Sequence, residues 1–258
     1  MAKLISKIEG AVGWVIFSNP TKFNAVSNDM WLALPPMLAA LDANPNVRVI
    51  VLTGDGDKNF ISGADISQLE ASGDANQIDL TQAVIDAYKA PGLCSKPVVA
   101  KIRGICMGGG LGIAAACDVR LASDDAVFRM PAARLGAGYN FTGIAQFVHA
   151  AGAANTADIF FSARKFDAAE ALRMGFVNRV VPTADLDRET EAYCEMVAQN
   201  APLTMAAAKF AIRQTGVDSA ARDLATTEKM IEACFSSDDY REGREAFMQK
   251  RKANFTGR

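Results

Sequence analysis

Val98-Val99-Ala100-Lys101-Ile102, followed by Gly108-Gly109-Gly110 and then Leu111-Gly112-Ile113-Ala114-Ala115-Ala116-Cys117, decides how this chain folds. The first run reads as a strand, Leu111 to Cys117 as a helix, and Val119 to Ala122 as the next strand. Glycine at the strand-to-helix turn lets another group approach the backbone closely. A second segment of this kind, Ser62-Gly63-Ala64-Asp65-Ile66, follows the apolar run Val47 to Thr53. Each can place a backbone N–H at a helix N-terminus, where the dipole favours negative charge. Two such donors converging on one carbonyl oxygen form an oxyanion hole, suited to a developing enolate or tetrahedral oxyanion.

Outward from this centre, residues 1–195 alternate short β runs with helices, Val12 to Ser18 being a further strand. Beyond it the pattern is helical: Leu186 to Gln199, Leu203 to Gln214, Ser219 to Phe235 and Arg241 to Lys252. The expected architecture is α/β, with a core over 1–195 and a helical region over 196–258. Pro35-Pro36 interrupts an otherwise helical segment between Asp29 and Asp42, which predicts a kink or a late start. Ser72-Gly73-Asp74 predicts a loop.

Composition excludes several functions. With 27 Lys+Arg against 29 Asp+Glu, no basic excess marks nucleic acid as a main partner. No segment approaches the ~20 apolar residues of a membrane span. With no long apolar run after the N-terminal lysines either, the expectation is a soluble cytoplasmic protein. Five cysteines without a C-x-x-C pair predict buried reduced thiols rather than a disulfide frame. The single histidine, His149, makes a metal site or a histidine-based triad improbable. Gly110-Leu111-Gly112-Ile113-Ala114-Ala115 also fits a dinucleotide fingerprint, the best evidence for a doubly wound sheet instead. Against it, the helix ends too soon, no acidic residue closes a second strand, and the first βα unit has no such motif.

The joint order of motifs resembles the crotonase superfamily, the enoyl-CoA hydratase/isomerase family. The residues that carry the likeness are Asn19-Pro20 with Asn24-Ala25-Val26-Ser27, Val49 to Gly54, Phe60 to Ile66, Lys96 to Ala100, Gly104 to Asp118, and the tail from Asp239 to Phe255. The resemblance implies a spiral of ββα units with a helical C-terminal region, assembled as a homotrimer or a dimer of trimers. It implies an acyl-CoA substrate, coenzyme A being part of the substrate and no cofactor tightly bound. It places the oxyanion hole at the N–H groups of Ala64 and Gly109, and the adenine near the backbone of Ser62 and Ile66. Lys22, beside Ala25, and Lys250, Arg251 and Lys252 become candidates for the phosphates, while Asp65 and Asp118 take structural parts.

The departures from the family pattern shape the chemistry. A typical hydratase of this kind has one glutamate two residues after the third glycine and a second in a Phe-x-x-Pro-Glu segment. Here the positions are Gly112 and Ala132, and neither can move a proton. The segment Gly136-Ala137-Gly138-Tyr139-Asn140, with Gly143-Ile144, is similar to methylmalonyl-CoA decarboxylase of the same superfamily, where the tyrosine lies near the departing carboxylate. That enzyme keeps a glutamate where Gly112 stands and has a histidine in place of Ala64. Tyr139 is therefore expected at the acyl group, with Gly112, Ala132 and Asn140 around it. Decarboxylase-like or other lyase chemistry ranks slightly above hydration or isomerisation, which would need a base from the Gln68 to Asp79 region or a water chain. A non-catalytic acyl-CoA-binding protein is the alternative of another class. Leu69 to Tyr88 is expected to line the pocket.

Overall fold

A computed structural model describes residues 2–69 and 74–258, with the backbone alone described at 69 and 74–79. The expected loop at Ser72-Gly73 lies outside the described residues. Two sheets organise the described residues. The larger holds β1 (Lys3–Glu9), β2 (Val12–Ser18), β3 (Val49–Gly54), β5 (Val98–Ile102), β7 (Val119–Ser123) and β10 (Arg179–Val181), in that spatial order. Only β1 and β2 pair antiparallel there. The smaller holds β4 (Asn59–Ile61), β6 (Ile105–Met107), β8 (Val127–Arg129) and β9 (Phe166–Asp167).

The chain visits the two sheets alternately. β3 enters the large sheet and β4 the small one, and α2 (Ile66–Leu69) and α3 (Asp74–Leu93) return it. β5 and β6 repeat the step and end in α4 (Gly109–Ala116), and β7 and β8 repeat it again into α5 (Ala132–Leu135) and α6 (Phe141–Ser162). This is the expected spiral of ββα units. α7 (Ala168–Arg173) and α8 (Leu186–Ala198) flank β10, followed by α9 (Pro202–Gln214), α10 (Leu224–Ser236) and α11 (Asp238–Gln249). The division expected at 195/196 falls within α8. Among the described residues no helix is long and apolar enough to cross a membrane.

The period-two rule assigns the faces of β3. Ile50 and Leu52 join the main core with Phe17, Trp31, Leu34 and Leu111. Val49 and Val51 face the other way, onto Leu186, Cys194 and Val197 of α8. All six residues of β3 are buried, as both covered faces of a parallel sheet require. The five cysteines are unpaired, and four of them are buried.

The helix over Asp29–Asp42 differs from expectation. α1 (Asn28–Ala43) runs unbroken through Pro35 and Pro36. Ser27 caps it by accepting from the Met30 N–H, and Met30, Trp31, Leu34, Leu38 and Leu41 anchor its inner face. Pro36 and Leu32 are exposed, so water can satisfy the carbonyl that the proline leaves unpaired. The tail also shifts: Ser219–Ala221 is a 3-10 turn, and α10 starts after Asp223, whose carboxylate accepts the Thr226 N–H. α11 starts three residues earlier than expected, capped by Ser237, and ends at Lys250 in the left-handed conformation.

A buried lysine ties the helical tail to the core. The Lys209 ammonium of α9 donates to the Pro91 and Lys96 carbonyls, each at 2.8 Å, and meets the Asp118 carboxylate at 2.7 Å. Asp118 also accepts the Val98 N–H, so it is structural as expected. Replacing one partner of a buried pair leaves an uncompensated charge, which typically costs about 3–5 kcal/mol. Lys209→Met is therefore expected to lower the unfolding free energy by that order, read as a lower urea midpoint at fixed protein concentration. A midpoint within error of wild type would show that the clamp carries no net stability.

Candidate active site

The loop before α2 is built by Asn24. Its side-chain oxygen accepts the Asn19 N–H, and its amide donates to the Asp55 and Asn59 carbonyls. Asn19 in turn donates to the Ala25 carbonyl. These bonds align Val26 beside Ala64 in a parallel bridge, in which the Val26 N–H meets the Gly63 carbonyl and the Asp65 N–H meets the Val26 carbonyl. Such a bridge uses the groups flanking Ala64 and turns the Ala64 N–H to the opposite side.

That side faces the start of α4. Gly108 sits at φ 51° and ψ −118°, a conformation open to glycine, and its N–H donates to the Arg129 carbonyl. Gly109 is the first helical residue, so its N–H has no carbonyl one turn back. A Cβ at Gly109 would lie 3.4 Å from the Ala64 nitrogen and 2.9 Å from the Trp31 ring. The space a side chain would fill is thus the space beside the Ala64 donor. Two N–H groups at a helix N-terminus bordering one small gap can hold a single anionic oxygen.

One turn along α4, on the same face, is Gly112. A Cβ there would lie 2.6 Å from the Tyr88 hydroxyl oxygen and closer still to that of Tyr139. The two hydroxyls are joined, Tyr139 donating to Tyr88 at 2.8 Å. Their rings stack at 6.0 Å and 24°, Trp31 meets Tyr88 edge-on at 5.7 Å, and Phe160 meets Tyr139 edge-on at 5.1 Å. Gly143 gives the Tyr139 ring room against α6. Burial pushes the Tyr88 phenol up to about 12, against a smaller opposing pull from the Tyr139 hydrogen bond. Burial first, and the neighbouring Tyr88, also hold Tyr139 well above the usual phenol value. Both are neutral acids at physiological pH.

The structure brings most of the expected residues together and separates others. Ala64, Gly109, Gly112 and Tyr139 converge. Ala132 is buried at the start of α5, next to Pro131, which borders Gly108. Asn140 lies beside Tyr139, but its side chain accepts the Gly143 N–H and caps α6, which fixes the direction of the helix that backs Tyr139. Lys22, Ala25, Ser62, Asp65 and Ile66 share one rim. Lys22 is engaged there by both Asp65 oxygens and by Ser67, all at 2.8 Å. Ser62 donates its hydroxyl to the Lys22 carbonyl, and the Ile66 side chain is exposed. Lys252 borders Arg48 and Asn46 at the start of β3, the end of the strand away from the Ala64 loop. Lys250 follows α11, and Arg251 is paired with Glu242. Within one chain these tail cations do not meet the site. Residues 70–73 and the side chains of 69–79, which include much of the region named as a source of another base, lie outside the described residues. His149 is exposed, and Asp124 is fastened to Thr183 in a polar turn.

Tyr88 is the site residue that sequence reasoning missed. The sequence marks it only as the end of a stretch expected to line the pocket. The signal that points to it is volume: a glycine in place of a larger residue on a buried helix face requires another side chain to fill the gap.

The fold and the two loop donors define a crotonase-type scaffold. Residues 7–258 match the family model described as enoyl-CoA hydratase/isomerase. The short-chain-enoyl-CoA hydratase of Clostridium acetobutylicum is 32% identical over 96% of this chain and 95% of its own. A peroxisomal Delta(3,5)-Delta(2,4)-dienoyl-CoA isomerase of Arabidopsis thaliana is 31% identical over 96% of this chain and 93% of its own. A solved enoyl-CoA hydratase/carnithine racemase from Magnetospirillum magneticum superposes with a TM-score of 0.91, at 30% identity, over 99% of this chain and 96% of that one. The chain belongs to the enoyl-CoA hydratase/isomerase family.

The rim carries its own test. The Lys22 ammonium holds the Asp65 carboxyl below its usual range, against the opposing effect of burial. Stability from a depressed carboxyl is complete above the ordinary aspartate value of about 4, and is lost as pH falls through the lower folded value. The stability gap between wild type and Lys22→Met is expected to stay constant from neutral pH to about pH 5 and to shrink below about pH 4. A gap that persists unchanged into strong acid would show that Lys22 acts by packing alone.

Proposed function

We propose that this protein processes an acyl-CoA thioester by holding the thioester oxygen between the N–H groups of Ala64 and Gly109 while the bound acyl group carries enolate charge. The reaction we favour makes that enolate by releasing an α-substituent, carbon dioxide first among the candidates. The observation that carries this reading is the filling of the space over Gly112 by two neutral phenols. With alanine at 132 as well, neither usual carboxylate position can remove a proton or activate water. Departure of an α-carboxylate needs neither act, because the bond electrons pass directly into the enolate. The likeness to methylmalonyl-CoA decarboxylase supports this at Gly136–Asn140 alone; the relatives named above are hydratases and isomerases.

Those names support a second reading, hydration or double-bond isomerisation with an unconventional base. Binding of coenzyme A along the rim of Lys22, Ala25, Ser62 and Ile66 belongs to both readings. So does self-association, as trimer or dimer of trimers: Phe235, Phe247 and Met248 are exposed on α10 and α11, beside an apolar cleft of about 720 Å3. In such an assembly Lys250 and Lys252 of one subunit can serve a neighbour. The free thiols favour a cytoplasmic setting.

The test is mass spectrometry of crotonyl-CoA, methylmalonyl-CoA and a saturated acyl-CoA after incubation in heavy water. Release of carbon dioxide with deuterium at the α-carbon is the expected result. Hydration of crotonyl-CoA at an enzymic rate would overturn the argument from Gly112 and Ala132. Coenzyme A ester binding without any conversion would leave either another acyl group as substrate or a binding protein. Gly109→Pro removes one donor N–H, and loss of one oxyanion donor typically costs about 10²–10³-fold in turnover. A Gly109→Pro variant that folds and keeps full turnover would remove α4 from the oxyanion site.

A further inference from the structure

We propose that Tyr88 and Tyr139 act as one proton donor, Tyr88 delivering its proton to the α-carbon of the enolate while Tyr139 holds the oxygen left behind. The proposal rests on the enolate reading above and adds a residue that neither the family motifs nor that reading assigns.

Placement comes first. Gly109 and Gly112 share a face of α4, and positions three apart on a helix hold their Cβ atoms about 5–6 Å from one another. At the first of these Cβ positions lies the Ala64 donor, and at the second lie the two hydroxyls. A thioester oxygen seated at the first has its α-carbon two bonds away, and the proposal places the acyl group along that same face, toward the second. The phenols therefore occupy the place from which a side chain at 112 would reach that carbon.

Direction comes second. Tyr139 donates to Tyr88, so the Tyr88 proton is the one left over to give. Tyr88 is 2% exposed and Tyr139 is half-buried, which puts the relay to water on the Tyr139 side. Aromatic contacts hold both rings, so the hydroxyls need no reorganisation at the moment of transfer.

The step balances. The bond from the α-carbon to the carboxylate carbon breaks, carbon dioxide leaves, and the electron pair stays in the enolate. The α-carbon then forms a C–H bond with the Tyr88 proton, and the negative charge passes to the Tyr88 oxygen. That phenolate accepts the Tyr139 hydrogen bond until water returns a proton through Tyr139. One solvent proton is consumed for each carbon dioxide released. Raised pKa values keep both phenols in the neutral form at neutral pH, so no phenolate is present to take a proton from a saturated acyl-CoA, while an enolate, a stronger base than a phenolate, can still take one from Tyr88.

The test compares wild type, Tyr88→Phe, Tyr139→Phe and the double variant on methylmalonyl-CoA in heavy water, reading rate and the configuration of the α-deuterium. A fixed donor delivers deuterium to one face, so wild type is expected to give a single enantiomer of the monodeuterated product. Each Phe variant keeps its ring, and is expected to be about 10²–10⁴-fold slower, the usual worth of a positioned acid, with mixed configuration from random water delivery. The double variant is expected to be no slower than the worse single one, because residues acting as a unit are not additive. Binding of a saturated acyl-CoA, measured by calorimetry, is expected to be unchanged. Full rate and a single enantiomer in Tyr88→Phe would overturn this inference and leave the enolate reading standing. Absence of carbon dioxide release by wild type would overturn that reading, and this inference with it.

Discussion

Three positions in the first turn of α4, 109, 110 and 112, have no room for a side chain, and the geometry of the site follows from that exclusion. A Cβ at Gly109 would strike Trp31, one at Gly110 would strike the backbone and side chain of Ile61, and one at Gly112 would strike two phenols. With glycine at all three, the helix sinks until its N-terminus borders the Ala64 loop. Every residue from Gly110 to Ala116 is buried, so the helix cannot slide outward without exposing apolar surface. At the end of β6, the Gly108 N–H bond to Arg129 sets where the helix begins. The close approach that makes the scaffold also presents the Gly109 N–H without a partner from its own helix.

Much of this could be read from residue order, and the unread parts share a cause. Val12–Ser18, Val98–Ile102 and Val119–Ser123 announce themselves because five or more apolar or alternating residues carry a periodicity. The strands of the small sheet have two or three residues each, too few for any period, so the second sheet of the spiral was invisible. The double proline misled because local propensity argues against a helix there, while burial of Trp31, Leu34, Leu38 and Leu41 decides for one. Of the candidate site, Ala64, Gly109 and Tyr139 stand out in their motifs, and the structure places them together. Tyr88 lies in an ordinary helical stretch, and only the tertiary packing of α3 on α4 reveals that its hydroxyl occupies the space over Gly112.

Glycine at 112, with two phenols over it, sets the kind of proton chemistry available. A carboxylate with an ordinary pKa is ionised at neutral pH and can remove a proton. A desolvated phenol at about 12 is protonated there and can only give one up to a stronger base. Both arrangements cannot coexist, since the phenols occupy the volume a side chain at 112 needs. The low polarity that holds the phenols neutral also strengthens the two backbone donors, because charge on a thioester oxygen is poorly screened in such surroundings. A site with glycine at 112 and alanine at 132 thus suits the proposed reaction, in which the enolate forms without a base.

The same logic connects the helical tail to the site. Tyr88 lies near the C-terminal end of α3, three residues before Pro91, whose carbonyl accepts the Lys209 ammonium of α9. Arg213, one turn further along α9, lays its guanidinium over Gly92. Lys209 also meets the Lys96 carbonyl and Asp118, which flank β5 and β7, so one buried ammonium fixes the end of α3 against the sheet that leads into α4. The position of the Tyr88 hydroxyl over Gly112 is therefore set from two sides: by Trp31 and Tyr139 packed against its ring, and by a clamp that originates in the C-terminal helices. A helical region that contributes no residue to the two donor loops still determines where the phenol stands.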